Sequence, residues 1–127
     1  MNYETVNEKL FAEFPSFLLV LKEWDALEDL DSQYYIAGRF VDFLKLAYKK
    51  GDRNTYERGL DFIEKLHLSD CLIIGELATV GYLESFPDWD KKDVLINDLG
   101  EVSKKWWLEL NRFWEERIAF ISQSFFD

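Results

Sequence analysis

Cysteine occurs once in this chain, at Cys71, so no disulfide forms within it and the fold must rest on packing. That usage suits a reducing compartment. Proline is confined to Pro15 and Pro87, glycine is sparse, and no Ser/Gly-rich stretch interrupts the chain. With no linker in sight, residues 1–127 are expected to form a single helical-repeat-like domain. The longest apolar run near the N-terminus, Phe17 to Leu21, is far short of the roughly 20 residues that a membrane helix needs. The segment Met1 to Glu8 is acidic and polar, unlike a secretion signal. A soluble cytoplasmic protein is expected. The chain also lacks a Gly-x-Ser-x-Gly elbow, a phosphate-binding glycine loop, a dinucleotide-binding fingerprint and a Cys-x-x-Cys pair. Most common enzyme classes thereby lose their sequence signature.

Basic residues are outnumbered. Lys and Arg total 15 against 25 Asp and Glu, a net charge of −10. The imbalance is even along the chain, with 8 bases against 13 acids in residues 1–64 and 7 against 12 in residues 65–127. Such a field repels nucleic acid and anionic lipid and favours a basic partner. Lys49-Lys50, Lys91-Lys92 and Lys104-Lys105 are short pairs flanked by acid, unlike a stripe that tracks a phosphate backbone. Acidity also serves solubility, but −10 is more than a small domain requires for that purpose.

Aromatic residues are plentiful: Phe, Tyr and Trp make up 17% of the chain, and hydrophobic residues 48%. That content supplies a real core without a structural metal. Several of its positions echo at about twenty residues. Val41-Asp42-Phe43-Leu44 recurs as Leu60-Asp61-Phe62-Ile63 and returns as Val80-Gly81-Tyr82-Leu83. One helix plus a connection fits each period, and two periods match the roughly 40 residues of a HEAT-type hairpin. Phe43, Phe62 and Tyr82 are read as packing positions.

Apolar spacing and breakers predict an all-α fold of about seven helices, arranged as stacked antiparallel hairpins in a short HEAT-like α-solenoid. The helices are expected at about Asn2–Glu13, Ser16–Leu27 with Ser16 as cap, and Asp31 or Ser32 to Gly51. A fourth opens at Asn54, with Glu57 completing a near capping box. A fifth starts at Ser69 or Asp70 and ends near Phe86, with Ile73, Leu77, Val80 and Leu83 inward. Its Gly75 and Gly81 each cost up to about 1 kcal/mol against Ala, which close packing of a neighbouring helix would explain. A short helix follows from about Asp90 to Leu99. The last, about Val102 to Ser124, carries Trp106, Leu110, Phe113, Trp114, Arg117 and Ile121 on one stripe.

Few residues present themselves for chemistry. Glu64-x-x-His67 is half of a ferritin-like metal motif, but the single histidine leaves no second half within one chain. His67 reads more simply as a helix-end imidazole whose partial positive charge suits the dipole. Glu57, Asp61 and Glu64 lie on one solvated helix face beside Arg58 and Lys65. Cys71 begins an apolar run and reads as an inert buried thiol. No catalytic residue, cofactor site or metal site is expected, and a small-molecule ligand is not indicated.

Two acidic clusters stand out instead, both at inferred helix junctions. One comprises Asp25, Glu28, Asp29 and Asp31, preceded by Glu23. The other comprises Glu84, Asp88, Asp90 and Asp93 around Trp89. Taken singly, Asp31 and Asp90 read as helix caps and the others as loop solvation. Taken together, an aromatic residue among carboxylates is a suitable anchor for Lys or Arg of a basic protein. In stacked hairpins such junctions line a binding ridge.

The stretch Gly51-Asp52, Gly59-Leu60-Asp61-Phe62-Ile63-Glu64 and Glu76-Leu77-Ala78-Thr79-Val80-Gly81-Tyr82-Leu83-Glu84 resembles small all-helical immunity proteins of bacterial polymorphic toxin and contact-dependent growth inhibition systems. The resemblance covers less than half of the chain and holds no catalytic residues. It implies a cytoplasmic protein that binds one cognate toxin domain, such as a basic nuclease, and blocks its active site. The alternative is a general helical-repeat adaptor without a toxin partner. An enzyme with a polar pocket is the third reading, and it would have only Asp61, Glu64 and His67 to work with.

Overall fold

The computed structural model describes residues 1–126, with side chains described for residues 1–117. It is all-helical, with seven α-helices and no strand among the described residues. A 3-10 turn at Tyr3–Thr5 leads into α1 (Val6–Glu13), followed by α2 (Pro15–Glu23), α3 (Gln33–Lys49) and α4 (Arg53–His67). Next, α5 (Leu72–Glu76) continues without a break into a π-helical segment, Leu77–Tyr82, and a 3-10 turn, Leu83–Ser85. The chain ends in α6 (Lys92–Asp98) and α7 (Glu101–Phe126).

Local chemistry sets the boundaries. The Ser32 hydroxyl accepts the Tyr35 amide at the start of α3, and Gly51, at φ 81°, ends that helix in the left-handed conformation that glycine tolerates best. Two predicted caps move. Pro15 occupies the first turn of α2, where its missing N–H costs nothing, so Ser16 lies inside the helix. Asp52, not Asn54, caps α4 by accepting the Thr55 amide at 3.2 Å. The fifth helix starts at Leu72, later than Ser69 or Asp70.

Three helices surround the centre of the core. Tyr48 meets Tyr56, Leu44 lies over Gly59 and Phe40 meets Phe62, so α3 and α4 are antiparallel. Phe62 meets Tyr82 and His67 meets Thr79, so α4 and the α5–π helix are antiparallel too. The latter therefore runs parallel to α3, with Gly81 against Ala37 and Ser85 near Gly38. Phe40, Phe62 and Tyr82 form a ring triangle with centroids 6.1–6.4 Å apart. Phe43 turns to stack on Phe17 of α2, at 5.3 Å. Edge-on and offset contacts of this kind add to the burial of the rings themselves.

The π segment changes which residues face inward. One extra residue in the turn widens the inward arc, and Leu77, Ala78, Gly81, Tyr82 and Leu83 are all buried. Ile74 replaces the predicted Ile73 in the core, while Ile73 and Val80 are exposed. Gly81 has the expected packing role: an added methyl would meet Leu77 and Ala37. Gly75 has none, since nothing lies within 4 Å of where its Cβ would be. Among the described side chains of α7, Ser103 and Trp107 are buried, whereas Trp106, Phe113, Trp114 and Arg117 are exposed and Leu110 is half-buried. The side chain of Ile121 lies outside the described residues.

Candidate functional site

Trp24, at the end of α2, and Trp89 and Asp90, after the 3-10 turn at Leu83–Ser85, line one groove of about 750 Å³ over α3. Asp42, Lys45, Tyr48 and Lys49 of α3 line it too, as does Lys91. Each tryptophan is the middle of an acid–Trp–acid triplet, Glu23-Trp24-Asp25 and Asp88-Trp89-Asp90. The sequence had marked Trp89 as the anchor and passed over Trp24. The matching triplet was the signal that would have found it.

The two aromatics are held differently. Trp89 is half-buried and packed on Tyr48, Phe86 and Tyr56, with ring centroids 5.3, 5.7 and 6.1 Å away. Its position is therefore fixed by the core. Trp24, at the end of α2, is 37% exposed. Behind it the loop is built on an unusual backbone. Asp25 takes a left-handed φ of 53° while the Ala26 amide donates to the Leu21 carbonyl at 2.8 Å. This is a helix-ending turn whose left-handed position normally holds glycine. Asp29, at φ 54°, repeats the conformation, and its carbonyl accepts the Ser32 amide at 2.9 Å.

The predicted carboxylates are largely free. Asp88 pairs with Lys45 at 3.1 Å, and that ammonium holds its carboxyl below the usual range. Among the described residues Asp25, Glu28, Asp29, Asp31, Glu84, Asp90 and Asp93 form no ion pair. Asp31 and Asp90 are not caps either: Ser32 caps α3, and α6 starts after Lys91 without a side-chain cap. Of the predicted partner-binding residues only Trp89 and Asp90 line the groove. Asp31 faces α1, beside Glu4 and Glu8. Glu84 lies near Tyr34, whose hydroxyl is pushed up by burial and by Glu76 and Glu84. Asp93 is exposed in the first turn of α6.

Glu64 and His67 form a second constellation, directed inward. The Glu64 carboxylate accepts the Val102 and Ser103 amides at 3.1 and 2.8 Å and so caps α7. Gly100 leaves room for it, since a Cβ there would collide with that carboxylate. The Ser103 hydroxyl donates to Glu64 at 3.2 Å. A carboxylate only accepts, so Ser103 Oγ in turn accepts from His67 Nδ1–H at 2.7 Å, and His67 Nε2 accepts the Thr79 hydroxyl at 3.0 Å. The ring is neutral, its pKa pushed down to about 4 by burial against a smaller opposing pull from Glu64. That replaces the expected dipole-stabilised cation. Ser103 is fully buried, so its hydroxyl ties α7 to α4 through Glu64 and His67 away from solvent, and His67 carries the link on to Thr79 of the π segment.

Beside His67 lies a smaller, apolar groove of about 390 Å³, bordered by Cys71, Leu72, Gly75, Thr79, Val80 and Trp106. Cys71 lines it half-exposed, contrary to the buried thiol that the sequence suggests. Among the described residues no three His, Cys, Asp or Glu side chains converge as metal ligands, and no helix is long and apolar enough to cross a membrane. No curated protein and no solved structure matches the chain. Residues 7–115 match the family described as a domain of unknown function (DUF7674), and the chain belongs to that family.

Proposed function

We propose that this chain is a binding protein without chemistry of its own, and that the groove between Trp24 and Trp89 seats a basic protein partner. The observation that carries the reading is that two tryptophans, each the middle of an acid–Trp–acid triplet in the sequence, line one groove together with Asp90. A Lys or Arg entering it meets two indole faces and the carboxylates beside them, a combination of cation–π attraction and charge pairing. The lining itself holds Lys45, Lys49 and Lys91 against Asp42 and Asp90, so it favours a partner that presents separate charges of both signs over a smooth basic surface. The left-handed Asp25 adds support: an aspartate in a glycine position carries backbone strain that its stability role does not explain.

The narrower reading is an immunity protein that blocks the active site of a cognate bacterial toxin domain, a basic nuclease, in the cytoplasm. It rests on the resemblance of the central helices and on the charge of −10, which mimics a nucleic acid substrate. The α3/α4 and α4/α5 pairs are the antiparallel units from which we read a short HEAT-like stack. Co-expression with the product of the adjacent reading frame tests this function. Co-purification and rescue of growth from that product's toxicity are expected. A neighbour that neither co-purifies nor is neutralised contradicts the toxin partner.

A further inference from the structure

The longest helix, α7, has a surface unlike the rest of the molecule. Glu101, Glu109, Glu115 and Glu116 balance Lys104, Lys105, Arg112 and Arg117, and residues 118–126 hold no charge, so the helix is neutral in a chain of −10. Among its described side chains only those of the first turns are covered by the domain. Ser103 and Trp107 are buried, Leu110 is half-buried, and residues 112–117 are all exposed, with Phe113 at 54% and Trp114 at 42%. The described side chains therefore leave the core before the helix ends.

Two parallel stripes run along the exposed part. Trp106, Leu110 and Phe113 recur at i, i+4 and i+7. Beside them Lys105, Glu109, Arg112 and Glu116 recur at i, i+4, i+7 and i+11, so they form one flank of the apolar stripe. Read forwards the flank is plus, minus, plus, minus; read backwards every sign is inverted. Laid antiparallel on a second copy, with Lys105 opposite Glu116, each charge faces its opposite: Lys105 with Glu116 and Glu109 with Arg112, each pair made twice. A parallel arrangement in register would oppose like charges throughout. Glu109 and Arg112 already pair within one helix at 2.8 Å, but both are more than half exposed and free to exchange partners.

The same register places Leu110 near the two-fold axis and brings Phe113 and Trp114 of one copy to Trp106 of the other. There the groove of about 390 Å³ offers an apolar seat, with Leu72 89% and Val80 43% exposed at its rim. Gly75 keeps that groove open, at a cost in helix propensity that no packing contact explains.

We propose that α7 is a self-association helix, pairing two copies of this chain antiparallel through the Trp106–Leu110–Phe113 stripe and its self-complementary charged flank. The contact is isologous, the form that closes a two-fold dimer, and the flanking charges set its orientation as they do in helical pairs.

Sedimentation equilibrium on the full chain tests this. The wild type is expected at twice the chain mass of 15.2 kDa. Trp106→Glu and Phe113→Glu are each expected to give a folded monomer by circular dichroism. Lys105→Glu and Glu116→Lys should each weaken the dimer by about tenfold, since two pairs per dimer become repulsive. The double variant should recover the wild-type dissociation constant. A wild type that stays monomeric at its highest soluble concentration overturns the proposal. So does a Trp106→Glu dimer, or a folded double variant as weak as the singles. Should either aromatic variant fail to fold, the charge-reversal set decides.

Discussion

His67 shows how burial decides a side chain's role. Its folded pKa of about 4 lies below the ordinary 6.5, so between those values the unfolded chain holds a proton that the folded chain does not. Stability is accordingly full above pH 6.5 and declines as the pH falls towards 4. After allowance for the ring's partial exposure, this one group should cost about 1–2 kcal/mol on going from neutral pH to about pH 5. Urea midpoints across that range should show the slope in the wild type and lose it in His67→Asn; equal slopes would show that His67 does not cause it. Asp25 makes the opposite case, since its φ of 53° suits glycine. Asp25→Gly should raise stability by about 1 kcal/mol, read as a higher melting temperature, and should weaken partner binding. A variant that binds as tightly as the wild type would remove Asp25 from the site. Neither role was legible in the sequence. The His67 partners are 12 and 36 residues away, and nothing in Trp24-Asp25-Ala26 announces a left-handed turn where glycine is absent.

At the scale of elements, the apolar period identified the helices because most of them bury one regular face. It failed where that regularity breaks. The π segment shifts the inward face beyond Leu77 and exposes Val80, and in the α-helical turn before it Ile74 is buried in place of Ile73. On α7 the period correctly marks an apolar stripe but cannot show where the domain beneath it stops. The paired glycines separate these effects. Gly81→Ala should destabilise the fold by about 1–3 kcal/mol, because the new methyl meets Ala37 Cβ at 3.2 Å and Leu77 Cδ1 at 2.9 Å. Gly75→Ala meets nothing within 4 Å and should stabilise the helix by about 0.5–1 kcal/mol. Thermal melts of the two variants should therefore shift in opposite directions. A common direction would contradict the assigned packing of the α5–π helix.

At the scale of the whole molecule, sequence and structure divide the account between them. The excess of acid and its two clusters were readable directly, because charge and composition need no coordinates. That Trp24 and Trp89 border one groove was not, because α3 lies between them in the chain and brings them together only once folded. With a net charge of −10, association with a basic partner should be steered at long range and slow as salt rises. Stopped-flow rates that stay flat from low to high salt would remove the steering. The most direct measurement of the central claim is a calorimetric titration of the co-purified basic partner with wild type and with Trp24→Ala/Asp90→Asn. Both altered side chains are at the surface, so the variant should melt as the wild type does and bind at least tenfold more weakly. An unchanged affinity in that folded variant would contradict the claim that the Trp24–Trp89 groove is where this protein holds its partner.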